Sequence, residues 1–362
     1  MHLRRLWLTD VRGYREADVT FDPGLTAVVG PNGHGKTNLL EAIGYLATLA
    51  SFRGAPVDAL IRVGAERAVV RAEAERDGRE LLLEAELVAG GRNRAQLNRQ
   101  PLRRARDLLG ALRVTVFSPD DLDLVKGSPG SRRTYLDDTL ASLHQRHDQA
   151  RTDLERILRQ RGALLKQAGG RLTTEVELTL DVFDAKLTAA GEALGKARLG
   201  LVEALAPVLA EAYDQVARTS ADVQASYRPA WLDGGLAAAL ADARRDDLRR
   251  GVSTVGPHRD ELDLRIGGLP ARTHASQGEQ RSLALALRLA AHEVVTRRTG
   301  TPPVLLLDDV FSELDPDRSS ALLRSLPAGQ AILSTAGPLP EGTAPGKVLR
   351  VHEGTVSEDP AP

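Results

Sequence analysis

Residues Gly30-Pro31-Asn32-Gly33-His34-Gly35-Lys36-Thr37 fit the pattern G-x-x-x-x-G-K-[ST]. Each residue type has a task in holding a polyphosphate. Glycines let the backbone turn so that successive N–H groups close around phosphate oxygens. Lys36 is long enough to reach the β- and γ-phosphates, and the Thr37 hydroxyl can ligate Mg2+. Asn38 continues into an apolar run, NLLEAIGYLATLA, that reads as a helix aiming its positive end at the same phosphates. A glycine-rich turn with an exposed lysine is the bland alternative, and the apolar run LTAVV before the glycines argues against it.

A second cluster lies far along the chain. Val304-Leu305-Leu306-Leu307-Asp308-Asp309 is an apolar strand ending in two acids. Asp308 is placed to hold Mg2+, and Asp309 to orient or deprotonate an attacking water. One helix ahead of it stands Ser276-Gln277-Gly278-Glu279-Gln280. Ser276 and Glu279 have capping-box spacing, so an ordinary N-cap is expected there. A serine-capped helix start carrying a glycine also accepts a γ-phosphate well. Ser-x-Gly-Glu ahead of such a strand resembles the signature of ABC-type ATPases, where it touches the nucleotide bound to the other subunit. Ser312-Glu313-Leu314-Asp315 then reads either as the D-loop that crosses such a dimer interface or as a helix N-cap before Pro316.

These residues need elements to position them. Residues 3–8 and 25–29 are expected as strands, and 38–50 as a helix. Residues 67–75 and 80–88 flank Asp77-Gly78, a hairpin signal. Residues 112–117 form a further strand closed by Ser118-Pro119. From 131 to 250 the chain turns helical, with Leu154, Ile157, Leu158, Leu164 and Leu165 near helical spacing, Gly162 interrupting and Gly169-Gly170 breaking the run. A second helical region is expected up to about residue 218, with a helix of ~30 residues spanning ~45 Å. Strand 261–266, helix 278–298, strand 303–308, helix 316–326 and strands 330–334 and 347–351 follow. The polar tail after Glu353 is expected to be loose.

Bulk properties fit this reading. The chain has 362 residues, with 42% hydrophobic, 3% aromatic and a formal net charge of -1, so nucleic-acid binding would need a local patch. There is no cysteine, which excludes disulfides and thiolate metal sites. With no apolar run long enough for a signal peptide or a bilayer span, a cytoplasmic protein without a membrane partner is expected.

Both ends of the chain together resemble the RecF family, within the ABC- and SMC-type ATPase heads. Further segments carry the likeness: Pro119-Asp120-Asp121-Leu122 through Arg132-Arg133-Thr134-Tyr135-Leu136-Asp137, Gly256-Pro257-His258-Arg259-Asp260, and Asp308 to Asp315 as one unit. The resemblance implies an α/β fold, an ABC-type P-loop ATPase head with a mixed β-sheet and an inserted, mostly helical arm. It implies the head in 1–120 and 251–362 and the arm in 121–250. It also implies ATP and Mg2+ as cofactors and an ATP-dependent homodimer in which Ser276–Gln280 act in trans. Family partners would be double-stranded DNA at gaps and junctions and the mediator proteins RecR and RecO. Val11-Arg12-Gly13-Tyr14 is similar to a segment that meets the nucleotide in related heads, which marks Arg12.

Residues 92–113 hold arginines at 92, 94, 99, 103, 104, 106 and 113 against one acid, Asp107. Arg92, Arg94, Arg99, Arg103, Arg104 and Arg106 are candidate DNA contacts, and a solvated hairpin is the alternative. The transporter-type Gln and His loops are missing: Phe117-Ser118-Pro119-Asp120 and Ser334-Thr335 occupy those places. Asp309 stands where a glutamate is usual. These departures point to a slow ATPase used as a switch, and weigh against a transporter subunit. The insert is too short for the coiled coils of a chromosome-organising SMC head.

Overall fold

The computed structural model describes residues 1–217 and 220–359. Strands β1 (His2–Val11), β2 (Tyr14–Thr20) and β3 (Leu25–Val29) lead into helix α1 (Lys36–Thr48). Strands β4 (Arg67–Arg76), β5 (Arg79–Val88), β6 (Arg94–Leu97), β7 (Gln100–Pro101) and β8 (Val114–Phe117) follow. Next come helices α2 (Asp123–Lys126), α3 (Pro129–Leu143), α4 (Gln145–Ala168) and α5 (Thr174–Ala217). Strand β9 (Val223–Tyr227), helix α6 (Leu236–Arg250), strands β10 (Leu262–Ile266) and β11 (Leu269–Pro270) and helix α7 (Ala271–His274) lie beyond. The chain ends with α8 (Gln277–Thr299), β12 (Val304–Asp308), α9 (Pro316–Ser325), β13 (Ala331–Thr335), β14 (Lys347–His352) and β15 (Thr355–Asp359).

The first of two compact units holds Met1–Leu122, Glu211–Ser220 and Gln277–Pro362. It contains an antiparallel sheet ordered β2-β1-β4-β5-β6-β7. A second sheet, β15-β14-β3-β13-β12-β8, is parallel except for β15. Every residue of β12 and β13 is buried, as continuous apolar strands must be when both faces are covered. Helix α1 packs on β1 and β4 of one sheet and on β12 and β13 of the other. Its Leu39, Leu40, Ile43 and Leu46 share one core with Leu6 and Leu306. In β1, Leu3 and Leu6 are both buried although an alternating strand would bury only one. A register shift between Leu3 and Arg5 resets the alternation.

Asp77 and Gly78 both have positive φ, the two-residue turn that the β4–β5 hairpin requires. The same geometry overturns the expectation of a loose tail as far as Asp359; residues 360–362, to which the expectation also applied, lie outside the described residues. Glu353 and Gly354 have φ of 48° and 74°, and they fold Thr355–Asp359 back onto β14, with Val351 opposite Val356.

The second unit holds Asp123–Ala210 and Ala221–Ser276. Its end lies past the expected boundary at residue 250, because β10 pairs with β9 and Arg132 forms an ion pair with Glu261. Gly162 does not interrupt α4, which runs to a left-handed cap at Gly169. Helix α5 has 44 residues, about 66 Å, longer than the helix expected. Two of its glycines serve packing: a Cβ at Gly191 would meet Leu236 Cδ2 at 2.4 Å, and one at Gly195 would meet Trp231 Cη2 at 2.4 Å. No helix among the described residues is long and apolar enough to cross a membrane.

In the buried seam of α4, Leu154, Ile157 and Leu165 are joined by Arg161, which is fully buried. Its Nε donates to Asp184 at 2.7 Å, and its Nη1 donates to Asp247 at 2.6 Å and to Ser253 Oγ at 2.9 Å. A charge in this place is tolerable only because two carboxylates answer it. Arg161→Leu leaves Asp247 buried without its cation, while Asp184 keeps Arg244 at 2.7 Å, and should lower stability by about 3 kcal/mol. Denaturant unfolding checks this; a loss below ~1 kcal/mol would show that the network carries little.

Candidate functional site

Strand β3 delivers the glycine-rich loop, and α1 starts where it ends. Gly30 has φ 155°, and a Cβ there would lie 2.2 Å from the Val351 carbonyl oxygen, so only glycine fits. Gly35, with φ 116°, precedes the helix, and the Tyr14 hydroxyl donates to its carbonyl at 2.9 Å. Around Gly33 the space is open. Lys36 is buried, and its ammonium donates to the carbonyls of Gly30 and Pro31, both at 2.8 Å. The lysine thus spans the loop's concavity. Burial lowers its pKa, while the charges of Asp309 and Asp308 oppose that shift.

Thr37 Oγ1 donates to Asp308 Oδ1 at 2.9 Å, and Ser334 Oγ donates to the same oxygen at 2.7 Å. Burial pushes the Asp308 carboxyl above its ordinary range, against the pull of both hydroxyls. Asp309 sits in the left-handed region at φ 49°. Its backbone N–H points to Ser334, donating to both the carbonyl and Oγ. Lys36, Thr37, Asp308 and Asp309 are therefore gathered at one place. Among the described residues, no group of three His, Cys, Asp or Glu side chains could hold a metal alone. A hydroxyl beside a carboxylate suits Mg2+, which keeps most of its ligands as water and phosphate.

The other loop residues frame this cradle. Pro31, Asn32 and Gly33 are exposed, and Asn38 is half-buried in the first turn of α1. His34 is held by the β14–β15 turn: its Nδ1 accepts from Glu353 N at 3.2 Å, and its carbonyl accepts from Gly354 N at 3.3 Å. Its ring lies 4.8 Å from that of His352. The turn after β1 also reaches this region, since a Cβ at Gly354 would meet the Gly13 carbonyl oxygen at 2.3 Å. Arg12 itself directs its guanidinium to Glu41, with Nε and Nη2 donating at 2.8 and 2.9 Å.

The signature residues stand elsewhere. Ser276 and Gln277 are exposed, Gly278 and Glu279 are half-buried, and Gln280 is buried in the first turns of α8. Ser312 Oγ donates to the Asp309 carbonyl at 2.7 Å, so the D-loop continues directly from the second acid. Asp315 caps α9 by accepting from Arg318 N at 2.8 Å, which realises the N-cap. That N–H is the main reason its carboxyl lies below the ordinary range. In place of a Gln loop, Ser118 N donates to the buried Asp121, whose carboxylate is paired with Arg288 of α8 at 2.7 Å. In the second unit, His258 Nε2 is 3.0 Å from the Ser253 carbonyl oxygen, to which Arg259 also donates. Those two residues tie a loop.

Arg92, Arg94, Arg99, Arg103, Arg104 and Arg106 are all exposed. Arg92, Arg94 and Arg103 line a concavity of about 630 Å³ that also includes Glu84 and Glu86. Arg104 is paired with Asp107 at 3.0 Å, and Arg94 lies 3.7 Å from Glu86. Arg113 differs from the other six: it is half-buried, and its pKa is lowered by burial and by Arg76. More acids border the patch than the single Asp107 read from sequence, because strand pairing brings β5 beside β6.

Sequence reasoning named Ser334 and Tyr14 without giving them a role, and overlooked Arg318 and the β14–β15 turn. Ser334 had a detectable signal, a hydroxyl at the end of the strand following the acidic one. The others become visible only once distant strands are paired.

A glycine-rich loop facing a strand-end acid, with helix α8 of the signature segment beginning at Gln277 in the same unit, defines an ATPase head of the ABC type. A family model described as RecF/RecN/SMC N terminal domain matches residues 2–333. A relative from Streptomyces avermitilis, named DNA replication and repair protein RecF, is 46% identical over 374 residues, covering 98% of this chain and 99% of its own. A relative of the same name from Pseudarthrobacter chlorophenolicus is 43% identical over 400 residues, covering 99% of each. A solved structure of the recombination mediator protein RecF with ATP superposes with a TM-score of 0.91 at 27% identity, covering 99% of this chain and 98% of that one. An Smc head from Pyrococcus furiosus, at 18% identity and TM-score 0.57, shares the fold. The chain belongs to the RecF family.

Ser334 stabilises the charged form of Asp308 by donating to it. Ser334→Ala should therefore raise the pKa of Asp308 further. Carboxyl-carbon NMR titration of selectively labelled protein reads this; an unchanged or lower value would remove Ser334 from that role.

Proposed function

We propose that this chain is an ATP-dependent, DNA-binding recombination mediator that closes into a dimer on ATP and reopens by slow hydrolysis. One observation carries the reading. The phosphate loop and both acids form one cluster, whereas Ser276–Gln280 begin a separate helix beside the D-loop. Two copies arranged head to head would let each signature complete the other's site.

Bound Mg-ATP would supply the polyphosphate charge and a Lewis acid at its γ-phosphate. Lys36 would exchange its two carbonyl acceptors for β- and γ-phosphate oxygens. Gly30, Gly33 and Gly35 would let the N–H groups of residues 32–38 turn inwards. Thr37 and Asp308 are the metal ligands in this reading, with Ser334 fixing the carboxylate. Asp309 would orient the attacking water and take its proton. Ser276, Gly278 and the start of α8 would neutralise the γ-phosphate across the interface, with Ser312 and Asp315 lining the same seam. Arg12, held by Glu41, keeps guanidinium donors that are not committed to that carboxylate and could face the nucleotide. An aspartate in place of a longer glutamate, and the absence of Gln and His loops, favour slow turnover.

Relatives named for DNA replication and repair support double-stranded DNA at gaps as the partner of the closed dimer. Arg92, Arg99, Arg103 and Arg106, with Arg94 and Arg104 beside their acids, would contribute through phosphate contacts without reading bases. RecR and RecO would follow as protein partners in loading RecA in the cytoplasm.

Sedimentation with and without ATP and duplex DNA tests the whole reading. Lys36→Met should abolish nucleotide binding and dimerisation together. Ser276→Arg should keep nucleotide binding by the protomer within about threefold and abolish the dimer. Lost protomer binding in Ser276→Arg would place the signature in its own chain's site instead. Asp309→Asn should slow hydrolysis at least tenfold and lengthen the life of the ATP dimer; unchanged turnover would take Asp309 out of the reaction.

A further inference from the structure

Gly278 occupies the first turn of α8 with ordinary backbone geometry, so φ does not demand a glycine. Glycine is a weaker helix former than alanine, so the choice needs another reason. Space supplies the reason. A Cβ at 278 would meet Arg318 Nη2 at 2.5 Å, with Cζ and Nη1 each at 3.0 Å. The guanidinium lies against the glycine with three of its atoms.

Arg318 is firmly aimed. Its Nη1 donates to Asp315 Oδ2 at 2.8 Å, and its backbone N–H donates to Asp315 Oδ1 at 2.8 Å. Asp315 is the N-cap of α9, so the helix start fixes the carboxylate that fixes the arginine. Among the described residues, the buried Arg318 Nε has no hydrogen-bond partner, a cost consistent with a side chain held in place by packing. Tyr213, fully buried in the same unit, feels Glu279 and Arg318 with opposite sign, which places all three in one cluster. The signature turn and the D-loop are thus joined through one side chain.

We propose that Arg318 is a positioning residue that couples the signature turn at Gly278 to the D-loop at Asp315, so that the two shift as one body within a protomer. The role in dimer closure rests on the shared-site reading above. Pressure of a second protomer's nucleotide on Ser276–Gly278 would then be delivered through Arg318 to Asp315. From there it would pass along the D-loop to Asp309, whose carbonyl already accepts from Ser312.

The coupling is testable without nucleotide. The chain has no cysteine, so Ser312→Cys accepts a single environment-sensitive fluorophore in the D-loop. In the nucleotide-free protomer, Gly278→Ala should shift the emission of that probe, because its methyl displaces the guanidinium. In an Arg318→Ala background, the same Gly278→Ala change should leave emission unmoved. Circular-dichroism melts confirm that each variant is folded. A shift of the same size in both backgrounds, or in neither, overturns the coupling. A parallel cycle on the ATP dimer, read by sedimentation, should show each single variant weakening it about tenfold and the double variant no more than either. Additive losses of about a hundredfold would likewise overturn the coupling. A parent protein that forms no ATP dimer would sink the shared-site reading instead, with the protomer result standing apart from it.

Discussion

The carboxylate of Asp308 ends the buried strand β12 and takes one hydrogen bond from Thr37 on α1 and another from Ser334 on β13. Three elements converge on that single oxygen. The helix that carries Lys36 and the strand that carries both acids are thereby held in register, although their residues lie at opposite ends of the chain. Removing a carboxylate from water is costly, and its raised pKa reflects that cost. The two hydroxyls keep it ready to ionise. The rest of the unit serves this geometry: α1 is fixed on both sides by sheets, and its apolar face leaves it no freedom to slide.

Much of this was legible in the sequence. The glycine pattern, the apolar strand ending in acids and the serine-capped helix start each have local causes, so residue type and spacing suffice to read them. The β4–β5 hairpin was visible in Asp77-Gly78 for the same reason. What escaped was non-local or depended on packing. Gly162 looked like a break, yet α4 continues because its seam is anchored by Arg161 and two acids from other segments. Gly191 and Gly195, inside α5, make room for Leu236 and Trp231, which no local pattern announces. Glu353-Gly354 resembled the start of a loose end, because its turn has meaning only when β14 is already in the sheet.

The arginine patch shows the limit of counting charges along a chain. Read linearly, residues 92–113 carry one acid. Folded, β6 lies beside β5, and Glu84 and Glu86 enter the same concavity as Arg92, Arg94 and Arg103. Cross-strand pairing therefore decides how much positive potential reaches solvent. It leaves a mixed surface where the sequence had suggested a uniform one.

The place of β3 in its sheet has a consequence for how the protein is made. Strand β3 pairs with β13 on one side and β14 on the other, and Gly30 fits only beneath the carbonyl of Val351. The phosphate loop is synthesised long before the strands that wall it. Roughly 320 residues separate them, a translation delay of about half a minute at ordinary bacterial speeds. During that interval β3 is an apolar strand with both edges unpaired, a species prone to mispairing. Until β14 is made, the loop lacks the Val351 carbonyl that packs against Gly30, so the shape of the cradle waits on a strand made long after the loop itself.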